Sequence, residues 1–431
     1  MKKKGLLAIG WFLGTMLCLA GCGQFGKEEG VITAEKYANI SLRIAWWGEE
    51  GRNERTVQLI REFEKQYPGL KVEMEYCRSA DYQSKLSIQA SGNDLPDVFQ
   101  LTYGNLGLYV SKGQVMELDS LVEEKYIQLV DVDEMILAGG KYQGLLYGIP
   151  TGTNAQCMIY NPKMLEAADI SLEGMETLSD YAQVCRVVYE KTGAKAHNIS
   201  YDELFRSMGG DKFSREGNDI GFTAEMMEIF WTDKLKGITE GYYIGPDDWK
   251  SVDEGTNLAK GIIWCHGGFT NELETLEKES GLELELAKYP VADNAVRSDS
   301  AVVTPNMLWC IAPNTEHPEL AAAFIDYFTN NPITYDICGT DRGIPISAKM
   351  RAHVNEDASL AEQKTNAFME YLLDGNSMEL NMNISPAVSQ IDEIYDELDR
   401  YVRYQQITEE EIPALAEECV RRMKETLRKL D

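Results

Sequence analysis

Residues 41–76 read SLRIAWWGEEGRNERTVQLIREFEKQYPGLKVEMEY, and this stretch decides the fold class. Its first seven residues, Ser41 to Trp47, alternate, with Leu42, Ile44 and Trp46 on one face, which is the period of a strand. From Glu54 to Tyr67 the apolar residues Val57, Ile60 and Phe63 recur at helical spacing, and Pro68-Gly69 stops that helix. Leu70, Val72, Met74 and Tyr76 then alternate with Lys71, Glu73 and Glu75, a second, half-buried strand. Strand, helix and strand in this order predict an α/β chain with parallel strands joined by a crossover helix. Ligands of such sheets bind beyond the carboxyl ends of the strands. Trp46, Trp47 and Gly48 stand at such an end.

Working outward, Asp81 to Ala90 predicts a second helix and Asp97 to Leu101, after Leu95-Pro96, a third strand. The middle, roughly 150–305, mixes helical stretches with loops rich in Gly, Asp and Trp. Pro318 begins a helix in which Leu320, Phe324 and Phe328 recur at i, i+4 and i+8. From about Ile412 the tail places Leu415, Ala416, Cys419, Met423 and Leu427 on one stripe. No internal repeat is visible.

The 431 residues allow two or three domains, and a hydrophobic content of 44% is enough for a sizeable core. A net charge of −29 repels phosphate backbones, so no nucleic-acid partner is expected. Nine cysteines look numerous, but two lie in the first 22 residues. The remaining Cys77, Cys157, Cys185, Cys265, Cys310, Cys338 and Cys419 are odd in number and lack CxxC spacing. They read mainly as small core residues, with a disulfide pair left open.

The amino terminus has its own logic. Lys2, Lys3 and Lys4 precede a mostly apolar run from Gly5 to Ala20, too short to span a bilayer, which closes on small residues. That is the pattern of a secretory leader over residues 1–21. Leu19-Ala20-Gly21-Cys22 resembles the bacterial lipobox, in which the thiol of the cysteine is lipidated and becomes the new amino terminus. Cys22 is therefore the expected membrane anchor, on the outer face of the cell membrane, and residues 22–39 read as a flexible tether.

A wider resemblance rests on the order and spacing of many short motifs. These are Ile44-Ala45-Trp46-Trp47-Gly48, Phe63-Glu64, Tyr67-Pro68-Gly69-Leu70-Lys71-Val72, Tyr82 with Lys85-Leu86, and Leu95-Pro96-Asp97-Val98. They continue through Gly113 with Leu118-Asp119, Tyr147-Gly148-Ile149-Pro150 with Tyr160-Asn161, His317-Pro318-Glu319-Leu320-Ala321 and Arg342-Gly343-Ile344-Pro345. Together they resemble the extracellular solute-binding proteins of family 1, which serve carbohydrate ABC importers, over most of residues 40–350. The resemblance implies a two-lobe periplasmic-binding-protein-like fold with a hinge and an interlobe ligand cleft. One lobe is expected from residues 40–131 plus 308–349, the other from 132–307 plus 350–431. It also implies a carbohydrate ligand, an oligosaccharide favoured, the transmembrane subunits of an ABC permease as partners, a monomer, no cofactor and no catalysis. Trp46-Trp47-Gly48 followed by Arg52 and Thr56 resembles a subgroup that handles oligosaccharides, including pectin-derived ones. That subgroup usually has His after the Arg, where Asn53 stands here.

A sugar offers apolar CH faces and a rim of hydroxyls, so its site needs aromatic platforms and paired polar groups. Trp47, Glu49 and Arg52 follow the first strand, with Trp47 readable either as platform or as core. Arg52 could fork onto a uronate carboxylate. Tyr82 could stack or pack, and Asp97 could contact ligand or cap a turn. Tyr103 and Asn105 follow the third strand, and Asn154 lies at the crossing into the second lobe. Trp264, His266 and Phe269 belong to a run whose glycines permit close backbone approach. Trp231, Trp249 and Trp309 are weaker candidates.

No HExxH or other paired metal spacing appears among the four histidines, so no metal is expected. There is no GxxxxGK[ST] phosphate loop and no GxSxG elbow. The rival readings are a secreted glycoside hydrolase, since many carboxylates could supply a pair, and a binding protein of the same fold for a non-sugar solute.

Overall fold

The structure, a computed structural model, describes Tyr37, residues 39–248 and residues 254–429. The leader, Cys22 and Trp249 lie outside the described residues. The carboxyl end of the expected tether is not free: Tyr37 is buried, with its ring edge-on to Tyr67 and His317 at 6.4 and 6.3 Å. An aromatic ring gains more from that contact than it loses in chain freedom.

The quoted stretch folds as its periodicity predicts. Strand Ser41–Trp47 pairs in parallel with Lys71–Cys77 on one side and with Val98–Leu101 on the other. Leu42, Ile44 and Trp46 are fully buried, and so is much of the opposite face, where Ala45 and Trp47 pack against Tyr82 and Leu86. Helices cover both faces, which is the usual state of a parallel sheet. The connecting helix runs Glu50–Gln66, one turn earlier than its apolar spacing indicates. The extra turn is polar and starts directly after Gly48, with Glu50 favourably placed at the positive helix end.

The sheet departs from a purely parallel one at its far edge. Its order is Lys71–Cys77, Ser41–Trp47, Val98–Leu101, Leu308–Ile311, Ile149–Pro150. The strand Leu308–Ile311 is antiparallel to both of its neighbours. This is the strand on which the chain returns from elsewhere, a long-range pairing that local periodicity does not carry. Helix Pro318–Asn330 then buries Leu320, Phe324 and Phe328 on this core.

A second sheet has the order Glu285–Ala287, Thr153–Tyr160, Ile263–Phe269, Lys195–Ala196, with Val303–Pro305 joined to the start of Thr153–Tyr160. Its core includes helix Ala224–Glu240 and the tail helix Ile412–Leu427, whose Ala416, Cys419, Met423 and Leu427 are buried. Inside it, Asp399 accepts from the Trp231 indole at 3.0 Å and from the Lys234 ammonium at 2.8 Å. Two α/β lobes result. Helix Leu360–Leu373 touches both cores, with Met369 and Leu372 in the first and Ala361 against the second.

Where the lobes meet, separate stretches of backbone bond to one another. Thr153 and Ile344 exchange two hydrogen bonds of 2.9 Å, Thr151 donates to Met307 at 2.8 Å and Asn306 to Gly152 at 3.0 Å. A Cβ at Gly152 would stand 2.2 Å from the Arg342 carbonyl oxygen. Gly343 has φ +94°, and a Cβ there would meet the Thr153 oxygen at 2.7 Å. Among the described residues all seven cysteines are free, and all but Cys77 are buried, so the small-core reading of these residues holds without a pair.

The substitution Gly152→Ala is expected to cost about 1–3 kcal/mol or more, because overpacking against backbone cannot be relieved by a rotamer change. Urea denaturation followed by circular dichroism checks this: a midpoint equal to the parent's would show that the crossing yields.

Candidate functional site

The carboxyl end of strand Ser41–Trp47 opens onto a cavity of ≈ 450 Å³ whose walls include Trp47, Glu49, Arg52, Arg55, Ser79 and Asp341. Asn53 holds the turn beneath Gly48 and Arg52. Its side chain accepts from the Trp46 indole at 2.9 Å and donates to the Gly48 carbonyl at 2.9 Å, which fixes the turn from strand to helix. Trp46 is thereby core, stacked on Tyr76 at 4.8 Å. Trp47 is 8% exposed, packs on Tyr82 and lines the cavity with the little surface it leaves open.

The electrostatics of this end are unusual for so acidic a chain. Asp341 faces Arg55 at 2.8 Å and Arg342 at 3.2 Å, and its backbone oxygen accepts from Arg52 at 2.7 Å. Arg342 also donates to the Thr56 hydroxyl at 2.6 Å. Three guanidiniums thus share one carboxylate at the positive end of helix Glu50–Gln66, leaving local positive charge that a ligand anion would balance. Burial, and then the neighbouring Arg342, lower the pKa of Arg52. Glu49 is exposed at the helix start.

Further along the first lobe, Tyr103 begins helix Tyr103–Ser111, and Asn105 on that helix donates to Gln83 at 3.2 Å. Burial and then the charge of Asp202 raise the pKa of Tyr103, with Arg206 acting in the opposite sense. Asp202 and Arg206 belong to the second lobe, on helix Tyr201–Ser207, so Tyr103 faces that lobe. One Asp202 carboxylate oxygen is buried without a hydrogen-bond partner, and burial raises its pKa. Beside it, Glu203 is pushed up to about 7 by burial, against the pull of Arg206. At the crossing, the Asn154 side-chain oxygen is likewise buried and without a hydrogen-bond partner. Buried polar atoms seldom stay unsatisfied, and a hydroxyl-rich ligand or water would satisfy them.

Several sequence candidates stand elsewhere. Tyr82 is buried, its hydroxyl donating to the Gln100 carbonyl at 3.0 Å, so it clamps helix to sheet and stacks on nothing outside. Asp97 lies by the amino end of the sheet, accepting from the Arg43 backbone at 2.8 Å and the Thr315 hydroxyl at 2.6 Å, which is its capping reading. Trp309 is fully buried against Phe324 and Phe328, and Trp264 against Tyr181. Trp231 is core as described above. Each large ring gains more from burial than an exposed platform would. In the second lobe, Phe269 ends its strand opposite Gln156 and is 38% exposed, so it remains available as a platform. His266 is buried and engaged with Glu272 at 2.9 Å.

The structure therefore brings Trp47, Glu49 and Arg52 together, and sets Tyr103 and Asn154 on the surfaces where the lobes approach. The sequence reading missed Arg55, Asp341 and Arg342 as a group, since 286 residues separate Arg55 from Asp341. The Arg342-Gly343 motif was the available signal. A larger depression of ≈ 930 Å³ lies at Tyr67, Tyr126 and Asn330, at the far end of helix Glu50–Gln66 from the strand ends, and its walls carry Lys125 and Lys349 with Asp131 and Asp326 in place of an arginine group.

Residues 58–367 match the model of a family described as bacterial extracellular solute-binding protein. Among curated proteins, the chain is 24% identical over 254 residues to an arabinooligosaccharide-binding protein of Halalkalibacterium halodurans, covering 55% of each chain. It is 26% identical over 196 residues to the diacetylchitobiose binding protein DasA of Streptomyces coelicolor, covering 45% of each. The chain spans about half the length of the curated relatives it matches. Among solved structures, an extracellular solute-binding protein family 1 member from Alicyclobacillus acidocaldarius superposes with TM-score 0.77 at 21% identity, covering 91% of this chain and 99% of that one. A periplasmic oligogalacturonide binding protein from Yersinia enterocolitica gives TM-score 0.73 at 20% identity, covering 90% and 99%.

Removing the Trp309 ring by Trp309→Ala is expected to lower stability by about 3–5 kcal/mol, as for other buried aromatics. Chemical denaturation measures it, and a loss under 1 kcal/mol would return Trp309 to the list of exposed platforms.

Proposed function

Because the chain belongs to the bacterial extracellular solute-binding protein family, we propose that it is the extracytoplasmic receptor of an ABC importer and captures an oligosaccharide, uronate-containing by preference, between its lobes. The observation that carries the preference is the group Arg52, Arg55 and Arg342 around the single carboxylate of Asp341. A guanidinium forks onto a carboxylate in two parallel hydrogen bonds, so a uronate would find there what a neutral sugar would not use. Trp47 and Phe269 supply apolar surface, and Tyr103, Asn154 and Asp202 supply partners for hydroxyls. The oligosaccharides named for the relatives support the cargo class.

In this reading the lobes comprise residues 40–131 plus 308–349 and 132–307 plus 350–431, except that strand Ile149–Pro150, paired with Leu308–Ile311, belongs to the first. Ligand stabilises their closed arrangement, and the permease distinguishes closed from open by differential affinity. The monomeric chain is held to the membrane by lipid on Cys22 and returns its cargo uncleaved, with Asp202 a binding group and the buried Glu203 held by Arg206.

Isothermal titration of the chain beginning after Cys22 tests the reading, with neutral and uronate oligosaccharides in parallel. Uronate binding is expected, with no cleavage products by chromatography. Losing a charge-assisted contact costs about 1.5–3 kcal/mol, so Arg52→Ala should weaken uronate binding by roughly 10- to 150-fold and leave neutral sugars unaffected. Equal affinity for both classes in parent and variant would remove the uronate preference. No binding to any oligosaccharide would remove the carbohydrate reading.

A further inference from the structure

The second lobe assembles a group that local spacing conceals. His197 follows the short strand Lys195–Ala196, His266 lies within the neighbouring strand Ile263–Phe269, and Glu254 opens helix Glu254–Ala259. One Glu254 oxygen stands 3.4 Å from His197 Nε2 and 3.7 Å from His266 Nδ1. One donor atom from each residue lies within 4.8 Å of the other two. The imidazoles meet at 75°, with centroids 5.0 Å apart, so they do not stack.

We infer that His197, Glu254 and His266 form a binding site for a divalent transition-metal ion of the zinc type. Four-coordinate zinc holds nitrogen and oxygen donors at about 2.0–2.2 Å, which sets neighbouring donors roughly 3.3–3.5 Å apart. Two of the three edges are already near that spacing. Both histidines are 8% exposed, and His266 Nδ1 is buried with no hydrogen-bond partner, aimed at the Glu254 oxygen. A buried ring nitrogen in that state needs a proton acceptor, a water or a metal.

The other nitrogen of His266 supplies an independent argument. His266 Nε2 is 2.9 Å from one Glu272 oxygen, while the second Glu272 oxygen accepts from the Phe269 backbone at 3.0 Å. A carboxylate anchored to the main chain and bonded to the far side of the ring is how proteins fix the tautomer that presents its lone pair to a metal. Two neutral imidazoles and a carboxylate suit zinc, and also cobalt or nickel, better than calcium or magnesium, which take oxygen ligands. Three protein ligands leave one position for water or a ligand oxygen. The ion would tie the loop after Ala196 and the start of helix Glu254–Ala259 to one strand, independently of the arginine group in the first lobe.

Titration of the chelator-treated chain with Co²⁺ reads the site directly. Expected are the visible absorption bands of a four-coordinate cobalt centre, displacement by one equivalent of Zn²⁺, and a thermal midpoint that rises with Zn²⁺. His197→Ala and Glu254→Gln should abolish the bands. Glu272→Gln, which leaves all three ligands in place, should weaken binding about 10- to 100-fold. Circular dichroism establishes that each variant is folded, and Glu254→Gln, at a partly exposed helix start, keeps the test valid where a histidine variant does not fold. Absence of the cobalt bands from the folded parent, or binding unchanged by Glu254→Gln, would overturn the assignment. The oligosaccharide titration of the metal-free chain is read separately, so either proposal can fail alone.

Discussion

At the junction of the two sheets, backbone lies against backbone with no side chain between. The oxygen of Arg342 stands 2.2 Å from where a Cβ of residue 152 would be, and Thr153 and Ile344 bond each other in both directions. Only glycine fits at 152, and only a residue at ease with positive φ fits at 343. Much else follows from this closeness. Asp341 and Arg342, carried by the same segment, are delivered to the start of helix Glu50–Gln66, where Arg52, Arg55 and Thr56 receive them. The cationic edge of the cavity is thus a product of how the chain crosses between the lobes.

The same economy explains Asn53. A single side-chain amide ties the indole of Trp46 to the carbonyl of Gly48, so strand, turn and helix are one unit. The position of Arg52 is inherited from that unit. In the second lobe, Asp399 does comparable work among helices, satisfying an indole and an ammonium that would otherwise be buried without partners.

Local order was legible in the sequence wherever periodicity is strong. Strands Ser41–Trp47 and Lys71–Cys77, the helix between them, and the tail stripe through Cys419 all follow from alternation or helical spacing. The antiparallel strand Leu308–Ile311 did not, because its partners lie more than 150 residues upstream. Site residues divided along the same line. Trp47, Glu49 and Arg52 are neighbours in sequence and in space. Trp264 and Trp309 were attractive as aromatics in mixed surroundings, yet their strands run through the middle of a core. Asp341, Asp202 and the His197–Glu254–His266 group were invisible for the opposite reason, since each depends on segments far apart in the chain.

The thiols carry a further consequence. Six of the seven described cysteines are buried in apolar surroundings, and burial raises the pKa of each of Cys157, Cys185, Cys265, Cys310, Cys338 and Cys419. A thiol kept protonated and out of reach is inert toward alkylating reagents. Cys77 alone is partly accessible, and its carbonyl accepts from the Gly48 backbone at 3.2 Å, at the edge of the arginine-lined cavity. Among the described cysteines this is the one natural attachment point: on the chain beginning after Cys22, a maleimide dye would sit beside the cavity with no engineered cysteine.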